Sequence, residues 1–187
     1  MASDGKMAAL KTAPHSLLTQ LQGAAIHAED VYVSIVPFSK DVNFGADNSW
    51  LRWDLWEEVN GHCSNTSYHK KSSCVSHGKV WTPNAHSTWN GCVTDRDQNY
   101  DSKNDAPVSG ATLYPAEQYS SCSAPLIGLA NDWTKLNEKI DGMTSVGNTN
   151  QAIGLQVDRQ SLVGGSPFTV PPFYPLYQYT QVLIPLT

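Results

Sequence analysis

The sequence is poor in charge. Only 16% of its 187 residues are Asp, Glu, Lys or Arg, against about 25% in an average globular domain. Lys and Arg together number 12, the net charge is −5, and no basic run exceeds Lys70-Lys71. Phosphate binding needs clustered cations, so a nucleic-acid partner is not expected. No apolar stretch approaches the ~18–20 residues that span a bilayer. No charged-then-apolar segment opens the chain as a signal peptide would, so an exported chain would have its signal or anchor upstream of Met1. Short catalytic motifs are missing too: there is no GxSxG elbow and no GxxxxGK[ST] phosphate loop. No CxxC pair supports a zinc ribbon or a thioredoxin-like site.

What is present is a hydrophobic content of 40%, enough for a core, and four cysteines. Cys63, Cys74, Cys92 and Cys122 all lie in a stretch rich in Ser, Asn and Gly, where little apolar mass holds the chain. An even count allows two disulfides in three pairings. Cys63–Cys74 and Cys92–Cys122 are expected, because each pair brackets a polar loop. Cross-links of this kind persist outside the reducing cytoplasm, so an extracytoplasmic location is expected.

The apolar periodicity predicts a helix over residues 4–22, with Met7, Leu10, Leu17 and Leu21 on one face. Pro14 falls inside it and should kink it or end it early, at about 3 kcal/mol. Residues 31–38, VYVSIVPF, read as a strand buried on both faces, as in a parallel sheet. A long irregular insertion follows over about 40–125. It carries Trp50, Trp53, Trp56, Trp81 and Trp89, aromatic mass that must pack on itself or on a partner. A helix over 131–143 has Asn131 or Asp132 as its cap and Trp133, Leu136, Ile140 and Met143 as its stripe. Another runs over about 151–163 and stops at Gly164-Gly165. A Pro-rich loop leads to a last strand over 179–186, YTQVLIPL, in which Pro185 belongs near an edge. Helices alternating with apolar strands argue for an α/β layered sheet in one domain, 1–187.

Two constellations carry chemistry. His62, Cys63, His69, Cys74, His77 and His86 cluster within the insertion. Imidazole and thiolate suit zinc or copper, but the spacings match no closed four-ligand pattern, and a disulfide loop with solvated histidines is the plainer alternative. Asp95, Asp97, Asp101 and Asp105 suggest a calcium loop, yet the mid-loop Gly and terminal Glu of the helix-loop-helix pattern are missing, which favours a solvated turn. Asn65-Thr66-Ser67 is a formal glycosylation sequon in a polar loop.

The runs DGKMAALKTA, VYVSIVPFSKDVN, WNGCVTDRDQNYD, LYPAEQYSSC and GNTNQAIGL, in this order, resemble the TadE/TadG-like proteins of Tad (Flp) pilus assembly, across nearly the whole chain. The resemblance implies a von Willebrand factor A-like fold: a doubly wound, mostly parallel sheet with helices on both faces. It implies a surface or pilus protein as partner. In an intact family member Mg²⁺ or Ca²⁺ would sit among oxygen ligands from three loops. Only the threonine of the second loop carries over, as Thr149 in Gly147-Asn148-Thr149. The first strand with its Asp/Ser motif would precede Met1, and the third-loop Asp would follow Thr187. One hydroxyl cannot hold a divalent ion, so no cofactor is expected in this chain, and Thr149 is expected to act as a helix cap. A fold missing its first strand leaves open edges, so self-association is also expected. The expected role is a non-catalytic, extracytoplasmic interaction or adhesion module. The alternative is a metal-dependent hydrolase using the His/Cys/Asp-rich insertion.

Overall fold

The computed structural model describes residues 4–45, 49–103, 105–163 and Phe168. The expected strand at 179–186, with Pro185, and the glycine stop at 164–165 lie outside these residues. The described chain is mixed α/β, with two disulfides, and its strands form small sheets of two. The larger doubly wound sheet is not assembled among the described residues. Three of the four pairs are antiparallel and one is parallel.

Helix α1 runs Asp4–Ala24 without a break at Pro14, which corrects the expected early end. Tertiary contacts on both sides of the proline offset the lost backbone bond. Lys11 Nζ donates to the Asp141 carbonyl at 2.8 Å, and His15 Nδ1 meets Asn137 Oδ1 at 2.6 Å. Pro14 itself is buried. The buried face is therefore Pro14 and Leu18, with Met7 and Leu17 half-buried. They pack with helix α4, Trp133–Gly142, whose Leu136 and Ile140 form a small core with Leu18, Ile35 and Met143, the residue after the helix. Asp132 caps α4 by accepting from the Lys135 amide at 3.1 Å, as the sequence pattern predicts.

Strand β1 is Val33–Ile35, shorter than the apolar run that contains it. It pairs antiparallel with Ile127–Ala130, a strand that the sequence pattern did not suggest, so the parallel pairing expected of 31–38 is not what forms. An apolar run without alternation fits a covered strand of either direction. The remaining strands are named in chain order: β2 Val42–Asn43, β3 Leu51–Arg52, β4 Gly61–Cys63, β5 Trp81–Pro83, β6 Cys92–Val93, β7 Tyr114–Pro115, and β8 for Ile127–Ala130. The pairs are β2 with β6, β3 with β7 in parallel, and β4 with β5. Short helices α2, Asp54–Val59, and α3, Lys71–Ser76, flank β4.

The insertion does more than decorate a sheet. The larger core joins Val36, Val42, Trp50, Leu51, Val93 and Tyr114 to Ile153 and Val157 of helix α5, Gln151–Val163, and to Phe168. Most of these come from the segment expected to be irregular. Arg96, 2% exposed, ties its far end by donating to the carbonyls of Asp105, Lys103 and Thr112 at 2.6, 2.9 and 3.1 Å. Gln156 and Gln160 of α5 reach into the same loop, donating to the carbonyls of Tyr100 and Asp105.

Candidate functional site

The loop 144–150, between α4 and α5, is exposed along most of its length, with Thr149 at its exposed end. It is held from beneath by residues of the insertion. The Asn150 amide donates to the Ser39 carbonyl at 2.7 Å, and Asn150 Nδ2 donates to Asp95 Oδ2 at 2.6 Å. Asn150 Oδ1 also accepts from the Ala152 amide at 3.1 Å. Asn150 thus caps α5, the role expected of Thr149; it stands one residue closer to the first turn. Gly147 sits at φ +57, and a Cβ there would meet the Tyr119 hydroxyl at 2.4 Å. Only glycine fits a left-handed residue pressed that closely on a ring.

Beneath the loop lies a charged cluster. Lys40 Nζ donates to both carboxylate oxygens of Glu117, at 2.6 and 2.7 Å, and lies 3.7 Å from Asp41 Oδ1 and 5.0 Å from the Tyr119 ring centre. Asp41 is fully buried; the Thr94 and Glu117 side chains face its carboxyl, and neither makes a short, well-aligned hydrogen bond to it. Burial, followed by the charge of Glu117, pushes its carboxyl up to about 7, against the pull of Lys40. Burial also raises the Asp95 carboxyl, against the bond from Asn150. Burial disfavours the Lys40 ammonium, but the Glu117 bond and the nearby carboxylates outweigh it and hold its pKa above the usual value. The turn that carries Asp41 is closed by the Ser39 amide donating to the Asp41 carbonyl at 3.0 Å and by Ser39 Oγ donating to the Ser121 carbonyl at 3.2 Å.

The disulfides are Cys63–Cys74 and Cys92–Cys122. The second stands beside this cluster, since the Glu117 amide donates to the Cys92 carbonyl at 2.9 Å. The first braces α3 against β4, next to an aromatic group. The Trp53 and His86 rings stack 3.7 Å apart, with Trp56 and Trp89 edge-on to Trp53. His86 Nε2 lies 3.2 Å from Glu57 Oε1, and Lys71 Nζ donates to Glu57 Oε2 at 2.9 Å. That lysine bond, with smaller help from His86, keeps the Glu57 carboxyl below its usual range. Trp53, Trp56 and Trp89 thus pack together, whereas Trp50 packs on Phe44, Tyr114 and Phe168 and Trp81 donates to the Glu57 carbonyl.

The histidines and cysteines considered as a metal set are not brought together. Cys63 and Cys74 are joined to each other, His62 and His69 are exposed, and His77 stacks on Tyr68 at 4.3 Å. The aspartates separate as well. Asp97 forms a two-pronged pair with Arg52 at 2.5 and 2.7 Å, Asp95 faces Asn150, and Asp101 accepts from Gln98. Among the described residues, no group of three or more His, Cys, Asp or Glu is placed to hold a metal ion.

Lys40, Asp41, Glu117 and Asn150 escape sequence reasoning because charged and amide side chains usually read as solvated. One signal does exist: Lys40-Asp41 is an isolated ion pair between VPF and VNF, a position where an exposed loop would not keep such apolar neighbours. Comparison with known proteins gives no match to a family model, a curated protein or a solved structure.

Proposed function

We propose that the chain is a non-catalytic interaction module acting outside the cytoplasm, within a von Willebrand factor A-like frame of the Tad pilus-assembly type. Its binding face is the loop 144–150. The observation that carries this reading is the fixed yet exposed state of that loop. Side chains from Thr144 to Thr149 face solvent for the most part, while Asn150 bonds to Ser39 and Asp95 and the Gly147 backbone lies close against Tyr119. A loop held in one conformation binds a partner without first losing backbone entropy. Both disulfides support the extracytoplasmic part, because they persist where thiols are oxidised. Among the described residues no helix is long and apolar enough to cross a membrane.

The hydrolase reading has less behind it. Asp41, the strongest candidate for a proton donor, is fully buried, and His86 is already engaged by Trp53 and Glu57. Catalysis needs such groups within reach of a substrate.

The test is retention of sheared Tad pilus filaments on the immobilised, disulfide-bonded chain. Retention is expected, with Asn148→Arg and Thr149→Arg weakening it roughly tenfold, the loss of about 1.4 kcal/mol from one disrupted contact. No retention by the intact chain overturns the proposal. Turnover of ester or phosphate substrates that vanishes in His86→Ala would move the assignment to the hydrolase alternative. Self-association is tested separately by light scattering on a sizing column; a monomer at all concentrations excludes it.

A further inference from the structure

The charged cluster beneath the loop has a design that simple bracing does not require. A hydrophobic or amide residue at position 41 would close the Ser39–Asp41 turn equally well, since the turn is held by backbone bonds and by Ser39. Instead a fully buried carboxyl is placed there, with the Thr94 hydroxyl as the neutral donor facing it and the Lys40 ammonium no nearer than 3.7 Å. A buried carboxylate with so few close donors is costly, whereas the neutral acid costs much less. The groups facing it do not remove that cost. Lys40, on the same turn, is committed to Glu117, which adds a second negative charge from the segment after β7. From the segment after β6, the Thr94 hydroxyl faces Asp41, and Asp95 lies in the field of Lys40. Tyr119 faces Lys40 rather than Asp41. One ammonium therefore serves several acidic groups.

The same turn holds the proposed binding loop, because the Asn150 amide donates to the Ser39 carbonyl. The second hold, Asn150 Nδ2 on Asp95, belongs to the same charged neighbourhood. We infer that the Ser39–Asp41 turn is a proton-gated latch: with Asp41 protonated it clamps the 144–150 loop, and loss of that proton opens the turn to water and releases the loop. The carboxyl pushed up to about 7 places the transition near neutrality. Acidic surroundings would then present a rigid loop and alkaline surroundings a loose one. As regulation of binding, the latch rests on the interaction reading above; as a structural device it does not.

The experiment follows exchange of the Asn150 amide with solvent between about pH 6 and pH 8, corrected for the intrinsic rate, since protection reports local opening. Roughly tenfold loss of protection is expected in the native chain across that range, and constant protection in Asp41→Asn. Glu117→Gln, which removes the neighbouring negative charge, should move the midpoint to lower pH. The carboxyl carbon of Asp41 in the unaltered chain should titrate with the same midpoint, which keeps the test sound if a variant fails to fold. Flat protection in the native chain, or an equal fall in Asp41→Asn, overturns the latch. Filament retention measured at both pH values separates the two proposals. No retention at either pH defeats the interaction reading and leaves the latch to be judged by exchange alone.

Discussion

Removing the Cys92–Cys122 bridge should destabilise the whole molecule, whereas removing Cys63–Cys74 should loosen one end of it. The two bridges span sequence separations of 30 and 11. By chain entropy alone, closing these loops contributes about 3.6 kcal/mol for the longer and about 2.8 kcal/mol for the shorter. Location widens that narrow gap. Cys92 is fully buried in β6 beside Val93 of the larger core, and its carbonyl accepts from both the Glu117 amide and Trp89 Nε1. Opening this bridge frees the segment around Cys122 from β6 and leaves the β6 contacts with β2 and with the Glu117 segment to backbone bonds alone. Neither core cluster contains a residue between Asn60 and Pro83, so the loop closed by Cys63–Cys74 unfolds with little effect on either. Cys92→Ala/Cys122→Ala should therefore lower global stability by about 3–5 kcal/mol, the range for native disulfides in small domains. Cys63→Ala/Cys74→Ala should lose about 2–3 kcal/mol or less, with new amide exchange confined to residues 61–83. Urea unfolding followed by tryptophan fluorescence gives the first quantity and exchange mapping the second. Equal urea midpoints for the two variants would refute this division, as would fresh exchange in β2 and β6 of the Cys63/Cys74 variant.

Three further outcomes are expected. Asp41 stays protonated in the folded chain up to about pH 7 but ionises near 3.8 when unfolded; the unfolded state thus loses its proton first, and stability falls as pH rises between those values, by up to about 1.4 kcal/mol per pH unit. Asp41→Asn should abolish that slope and melt higher than the native chain at pH 8, and equal melting temperatures there would contradict it. Leu136→Ala, in a fully buried position of α4, should cost about 2–5 kcal/mol in chemical denaturation, and a loss below about 1 kcal/mol would show that α1 and α4 are not packed as described. A Cβ at Gly154 would stand 2.5 Å from the Phe38 ring, so Gly154→Ala should destabilise by about 1–3 kcal/mol despite its better helix propensity, with Phe38→Leu restoring part of the loss; a stabilised Gly154→Ala would remove the α5 contact with Phe38.

Much of the helical frame is legible in the sequence, for a physical reason: α4 shows both its stripe and its cap within a few neighbouring residues. Helix α1 is legible in extent but not in facing. Propensity assigns Pro14 to a break, while the anchors that keep the helix whole, His15 to Asn137 and Lys11 to Asp141, lie far away in sequence. The strands are less legible still. Ladders of two residues, such as Val42–Asn43 on Cys92–Val93, are too short to show alternation. The β3–β7 pair joins Leu51 to Tyr114 across most of the insertion. What gives these short ladders meaning is the side-chain chemistry between them. Cys92 is cross-linked, Val93 is fully buried, and Glu117 reaches back to Lys40. A segment of short ladders can still hold a defined shape when cross-links and buried polar bonds add to its share of the hydrophobic core. It then carries a cost that hydrophobic cores avoid, because every buried polar atom must be matched or kept neutral. At Asp41 that matching is incomplete, and the turn that carries it also holds the end of the exposed loop. A site of this kind follows from folding a charged pair in among apolar neighbours, and it stays invisible to any pattern that equates charge with surface.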